Sequence, residues 1–491
     1  MARTVTGGKI ILSPGFLLCS SGPFSRGFKR PHLHLPFSNH TDMKNLSNIT
    51  ILALGLLCAA PSATAQNAAK GESEKAQALY ITNKQNAKVP YRIPAVAVAR
   101  NGHIIAINDS RPCGNDIGYG EVDIKARIST DNGLTWGREF TIADGLGDHN
   151  GGEVWRTGFG DAAVVADAER NEVLIMMVCG KTVCWQGKYT TDPATSNPNR
   201  VARVRGTYDK KKGVWNWTQP EEVTESIYPL FVAADGTVTV PSLFIGSGRI
   251  CQSRMVKVGE YYRIYAAVWT NNGGNRVIYS DDFGESWNML GKITDRPAMG
   301  GDEPKCEELP DGTVVLSTRA HGGRIFNYYT YTDVAKGEGT WGTAAKSDVE
   351  NNGTVAENNS TNGEIMILPV VRESDKKTVF LALQSVPFGS GRANVGIYYK
   401  ELDTVEDYNT PAYLAADWDG KLQVSHIGSG YSTMALQSDG RIAFLYEEET
   451  YGHWYTTLYR PYRIEEITGG KYSYSKSAAR KIQKKWRKRA K

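Results

Sequence analysis

Cysteine is scarce in this chain. There are seven in 491 residues, and only Cys113, Cys179, Cys184, Cys251 and Cys306 lie beyond the N-terminal leader described below. An odd number in an exported protein leaves at least one thiol free, which excludes a disulfide framework. A Cys179–Cys184 bridge is one alternative; buried small hydrophobes are the expectation. No His/Cys spacing suits zinc, so neither a metal nor another cofactor is expected. Apolar runs are also short: Ile49 to Ala60 is too brief to span a membrane. Net positive charge is missing from the body of the chain. Residues 471–491 carry ten Lys/Arg and no acid, and residues 1–65 carry six Lys/Arg against one Asp, so the middle is acidic although the formal net charge is +5. That balance argues against a nucleic-acid partner, and any anionic ligand must be caught by local arginines.

What is present begins with a leader. Met43-Lys44, the run Ile49 to Ala60 and the small-residue site Ala63-Thr64-Ala65 before Gln66 have the layout of a secretory signal peptide. Residues 1–42 show no fold signal and read as an extension upstream of a true start at Met43. Residues 43–65 are then the signal, and 66–77 a short linker. The expected location is secreted, periplasmic or cell-surface. A lipoprotein reading at Cys58 suffers from Leu57, where a small residue is wanted.

Glycine is abundant (51) and aromatics reach 10%, with short apolar runs broken by Asn-Gly, Asp-Gly and Gly-Gly. This predicts an all-β protein with tight turns. Two octapeptides share one pattern: Ser129-Thr130-Asp131-Asn132-Gly133-Leu134-Thr135-Trp136 and Ser280-Asp281-Asp282-Phe283-Gly284-Glu285-Ser286-Trp287. Looser relatives run from Asp209 to Trp217 and from Thr332 to Trp341. Each reads as a hairpin in which Asp accepts backbone N–H groups and Trp packs between sheets, a structural role. Recurrence at roughly 50–80 residues suits units that stack radially, as in a β-propeller. Strands are expected at 162–166, 173–178, 262–269, 313–317 and 442–446. From Gly469 the character changes. The basic end, residues 469–491, is expected to be a frayed, solvated tail, with an amphipathic helix through Ile482 and Trp486 as the alternative.

Five separated segments carry the chemistry: Tyr91-Arg92-Ile93-Pro94, Arg111 with Asp116, Glu303 with Arg319, Arg392, and Tyr431 with Glu447. Arginine suits a carboxylate because its planar fork stays charged and binds bidentately. Together with the repeated octapeptides, or Asp-boxes, these segments resemble the bacterial exo-sialidases (neuraminidases). The resemblance implies a six-bladed β-propeller over about residues 78–468 and retaining hydrolysis of terminal α-linked sialic acids. The implied partners are sialylated glycans, with no nucleic acid and no stable membrane span.

By the same resemblance, Arg92, Arg319 and Arg392 clamp the sugar carboxylate and Glu447 orients the first of them. Tyr431 is the nucleophile, Glu303 its base and Asp116 the acid/base. Arg111 and Asp161 meet the ring hydroxyl opposite the carboxylate. Several neighbours compete for these roles: Asp302, Glu307 and Glu308 with Glu303, and Asp123 with Asp116. Trp185 is the candidate wall for an N-acyl group, with Phe159 or Trp155 as substitutes. The alternatives in function are a trans-sialidase, which shares every catalytic residue, and a sialic-acid lectin, which needs the arginines but not Tyr431, Glu303 and Asp116. A propeller scaffold without activity has no reason to hold these residues in family order. The Ser/Gly-punctuated segment 220–260 has no role that its sequence reveals.

Overall fold

The computed structural model describes residues 75–271, 274–356 and 361–489. The leader and the proposed start at Met43 lie outside them. Six sheets, antiparallel but for one short parallel pair, follow one another along the chain. Their innermost strands are Tyr91–Val98, Phe159–Ala166, the interrupted pair Leu243–Ile245 and Cys251–Val258, Pro304–Glu308, Ile365–Arg372 and Ser429–Leu436. The expected all-β class and the six blades are both present. The strands anticipated at 162–166, 173–178, 262–269, 313–317 and 442–446 are observed as Phe159–Ala166, Glu172–Cys179, Tyr261–Thr270, Val314–Ala320 and Ile442–Glu448.

A strand inside a propeller has a neighbouring blade on each face, so both of its side-chain rows must be apolar. The first inner strand shows the division: Ala95 and Ala97 pack toward the second blade, whereas Val96 packs toward the sixth. The same logic places an apolar cluster in each of the six gaps between blades. The ring is closed by Gln77–Tyr80, which pairs antiparallel with Thr456–Tyr462 as the outermost strand of the last blade.

The Asp-boxes are hairpin locks. Asp131 accepts from Ser129 Oγ (2.8 Å), Thr135 N (2.9 Å) and Thr135 Oγ1 (2.5 Å), and Asp282 repeats the pattern with Ser280 and Ser286. Gly133 has φ +90°, and a Cβ there would fall 1.9 Å from the Tyr459 hydroxyl of the neighbouring blade. Trp136 meets the same Tyr459 ring edge-on at 5.0 Å. One box thereby ties the first blade to the sixth.

The segment 220–260 acquires a role. Between its two inner-strand pieces, Gly248–Arg249 crosses to pair in parallel with Ala163 and Val164 of the second blade. All five cysteines are free thiols, so the Cys179–Cys184 bridge does not form. The solvated tail expected beyond Gly469 is also corrected. Lys476–Arg489 is a helix whose Trp486 is buried, stacked on Phe380 at 5.7 Å and donating Nε1–H to the Pro310 carbonyl at 3.2 Å. Burial of the Trp, together with the half-buried Ala478 and Ile482 on the same stripe, holds it down.

Candidate active site

The first residues of several inner strands gather at one end of the propeller axis. Three of these strands carry a β-bulge there: between Arg92 and Ala95, between Gly160 and Ala163, and between Ser429 and Ser432. Ile93 and Asp161 sit at φ +56° and +53°. For an isoleucine such a conformation is a strained outlier, costing on the order of 1–3 kcal/mol. Glu447 holds it in place, because its carboxylate accepts from Ile93 N (2.8 Å), Arg92 Nε (2.9 Å) and Tyr431 N (3.1 Å). One buried acid thus couples the strand bearing Arg92 to the strand bearing Tyr431.

Tyr431 is nearly buried, and its hydroxyl donates to Glu303 Oε1. The Arg92 and Arg392 guanidinium carbons lie 5.6 Å and 5.4 Å from the Tyr431 ring centre. Arg319 Nη1 reaches Glu303 Oε2 at 3.2 Å. Three arginines from separate blades therefore surround one phenol. Arg392 Nε makes no hydrogen bond among the described residues. Burial opposes the charge of Arg92 and of Arg319, yet Glu447 and Glu303 respectively more than offset it, and both remain firmly cationic. The phenol of Tyr431 is held well above its usual range by burial and by the charge of Glu303, against the pull of Arg319 and Arg392.

Arg111 Nη2 bridges Asp116 Oδ1 (3.0 Å) and Asp109 Oδ2 (3.1 Å). Asp116 is half-exposed, on the loop after Ile104–Ser110. Asp161 N points at Asp109 Oδ1 from 3.2 Å. Burial pushes Asp109 up to about 7, though Arg111 pulls it down, and burial with the charges of Asp116 and Asp109 lifts Asp161 well above the carboxylate range. The structure thus brings Arg92, Arg111, Asp116, Asp161, Glu303, Arg319, Arg392, Tyr431 and Glu447 to one end of the axis.

The rivals lie elsewhere in the bonding scheme. Asp123 is occupied by Gly145 N (3.0 Å) and Lys125 (2.9 Å). Glu307 bridges Arg249 (2.7 Å) and Arg254 (2.9 Å), and Glu308 accepts from Ser253 Oγ and Arg254 N, deeper along the axis. Asp302 does reach the site: its Oδ2 lies 3.4 Å from Arg319 Nη1. Burial and Glu303 raise it to about 6. Trp185 is 58% exposed, 6.4 Å from the equally open Tyr119 ring. Phe159 is fully buried in the gap between the first two blades and cannot form a pocket wall; Trp155 packs on it edge-on.

Two contributors were not anticipated. Asp109 joins Arg111 to Asp161, and Tyr455 places its ring 5.0 Å from the Arg92 guanidinium. A signal for Asp109 exists in the strand itself: Ile104-Ile105-Ala106-Ile107 turns abruptly to Asn108-Asp109-Ser110 while remaining buried. Buried polar residues ending an apolar strand mark a site. Nothing local distinguishes Tyr455 from the many other tyrosines.

Comparison with known proteins bears on the family and the fold. The family model described as BNR repeat-like domain matches residues 93–405. A sialidase of Micromonospora viridifaciens is 27% identical over 376 residues, covering 73% of this chain and 50% of that protein. One from Paraclostridium sordellii is 24% identical over 361 residues, covering 73% of this chain and 81% of that one. The chain therefore spans half the length of the Micromonospora relative and most of the clostridial one. Among solved structures, the Hadza microbial sialidase Hz136 superposes with a TM-score of 0.59 at 18% identity, over 80% of this chain and 69% of that one. The intramolecular trans-sialidase from Ruminococcus gnavus, in complex with oseltamivir carboxylate, gives 0.58 at 16% identity, over 80% and 98%. At such identities the structural likeness speaks for the fold.

Proposed function

We propose, for a chain that belongs to the BNR repeat-like domain family, the activity of an exo-α-sialidase: a glycoside hydrolase releasing terminal α-linked sialic acid with retention. The observation that carries this reading is the Tyr431–Glu303 hydrogen bond enclosed by Arg92, Arg319 and Arg392. Sialic acid bears a carboxylate on the carbon to be attacked, so a carboxylate nucleophile would be repelled where a neutral phenol is not. Sialidases, with a Tyr nucleophile, are an exception to the two-carboxylate rule, and the repulsion argument accords with it.

The three guanidiniums fix the substrate carboxylate and hold the anomeric carbon over the Tyr431 oxygen. A buried phenol is a weak nucleophile, so Glu303 takes its proton as the Tyr O–C bond forms. Asp116, on its exposed loop, gives a proton to the departing glycosidic oxygen. It then takes one from the water that attacks the same carbon, while the Tyr O–C bond breaks and Glu303 returns its proton. Arg111, held by Asp109, and Asp161 meet the ring hydroxyl on the far side. Arginine charge stabilises the oxocarbenium-like transition state by keeping the substrate carboxylate beside it.

The test is release of a fluorogenic aglycone from an α-sialoside with lactose present. Free sialic acid as product supports the hydrolase. Sialyl-lactose points to a trans-sialidase, and binding without release to a lectin. The reading includes export, because sialylated glycans lie outside the cytoplasm and Met43 to Ala65 has the layout of a signal. N-terminal sequencing of the secreted protein should begin at Gln66.

A further inference from the structure

The other end of the axis is covered by the helix Lys476–Arg489. Arg92 begins the first inner strand, whereas Ala97 and Val98 at its end line a cavity of about 430 Å³ that the helix roofs. Six residues at ~3.3 Å each put the two ends roughly 20 Å apart. The helix turns Ala478, Ile482 and Trp486 inward. Outward stand Lys481, Lys484, Lys485 and Lys488, with Arg480 at the rim of the cavity; all five are exposed, and the helix contains no acid. No carboxylate pairs with any of these five among the described residues; the nearest such pair, Arg487 with Glu169, is loose at 3.8 Å. Lys476, Arg480 and Arg487 also line the cavity, together with Arg249 and Arg254 from the propeller. Its carboxylate, Glu307, is already held by those last two.

Five like charges on one helix face repel one another, and a folded chain gains nothing from them unless a partner neutralises them. Their spacing at i, i+1, i+4, i+5 and i+8 makes a stripe about 12 Å long at 1.5 Å per residue. The stripe is one helix wide. The acids nearest the helix are already satisfied by lysines of the body, Glu169 by Lys257 at 2.7 Å and Glu373 by Lys376. The acidic balance of the body disfavours both a flat anionic membrane and a duplex nucleic acid, each of which would face much more of the protein than this stripe. A slender chain meets the stripe alone. The helix is pinned by Trp486 rather than frayed, so its side chains are presented in order and less flexibility is lost on binding.

We propose that this helix face docks a linear sulfated glycan, with the cavity at its edge receiving one sulfate. The protein is thereby held on its substrate matrix by the face opposite the catalytic site, which stays open to sialylated termini. The test uses the full chain and immobilised dextran sulfate, with uncharged dextran, anionic phospholipid vesicles and duplex DNA as parallel surfaces. Dextran sulfate should retain the protein in a salt-dependent manner. The quadruple variant Lys481→Glu, Lys484→Glu, Lys485→Glu, Lys488→Glu should lose at least about thirtyfold in affinity, while release from a small α-sialoside and the melting temperature stay unchanged. If that variant folds poorly, the same four positions changed to Gln should give a smaller loss in the same direction. Retention equal to uncharged dextran, unaltered affinity in the variants, or tighter binding to vesicles or DNA overturns the proposal. Small-substrate turnover is read separately, so failure of docking and failure of the sialidase reading are distinguishable.

Discussion

Two regions of the propeller, the end of the axis holding Tyr431 and the hairpin locks, use polar residues in opposite ways. At the end holding Tyr431 the inner strands begin in bulges, Ile93 and Asp161 adopt strained backbone, and arginines crowd together around a phenol. At the hairpin locks the reverse holds: Asp131 and Asp282 satisfy their own turns with hydrogen bonds closed within eight residues. Strain at one place persists because regular, locally satisfied structure elsewhere over-determines the fold. On the proposed reading the polar residues at the site serve a ligand, whereas those in the locks serve the chain.

The largest separation between the two regions should come from Tyr431→Phe. Loss of the nucleophilic oxygen should lower kcat by about 10³-fold or more, since covalent and acid–base contributions vanish together, with folding unaltered. Wild-type turnover in that variant would erase the contrast. Glu303→Gln should follow closely in the same assay. Arg92→Lys keeps the charge but loses the fork, and should reduce kcat/KM by roughly thirtyfold, mainly through KM.

Substitution in a lock should do the opposite. Asp131→Ala removes three accepted hydrogen bonds and should lower unfolding free energy by about 1–2 kcal/mol in denaturant titration, leaving kcat and KM in place. The smallest effect concerns Asp302, which shares Arg319 with Glu303 and titrates near 6. As pH rises through that value its carboxylate ionises, occupies Arg319 and repels the substrate carboxylate. KM should therefore climb about threefold from pH 5 to 7, an effect of the size expected for a partly exposed charge pair. In Asp302→Asn the ratio to wild type should absorb that slope.

Much of this was legible from residue order. The Asp-boxes declare their hairpins because the bonds they make are local. Short apolar runs punctuated by glycine-rich turns declare strands for the same reason. Arg92, Glu303, Arg319, Arg392 and Tyr431 could be singled out by motif, yet nothing in their spacing states that they converge. The C-terminal helix is the clearest miss: its charges suggested a solvated tail, and the docking of Trp486 against Phe380 and Pro310 depends on residues more than a hundred positions away.

Short-range physics thus made the blades readable in advance: turn geometry and the brevity of the apolar runs are set within a few bonds of each residue. Placement of Asp109 between Arg111 and Asp161, of Glu447 beside Arg92, 355 positions away in the chain, and of the basic helix over the cavity was decided only when the ring closed. Those contacts arise because six sheets must bury both faces around one axis, and that closure, rather than any local preference, brings distant side chains together.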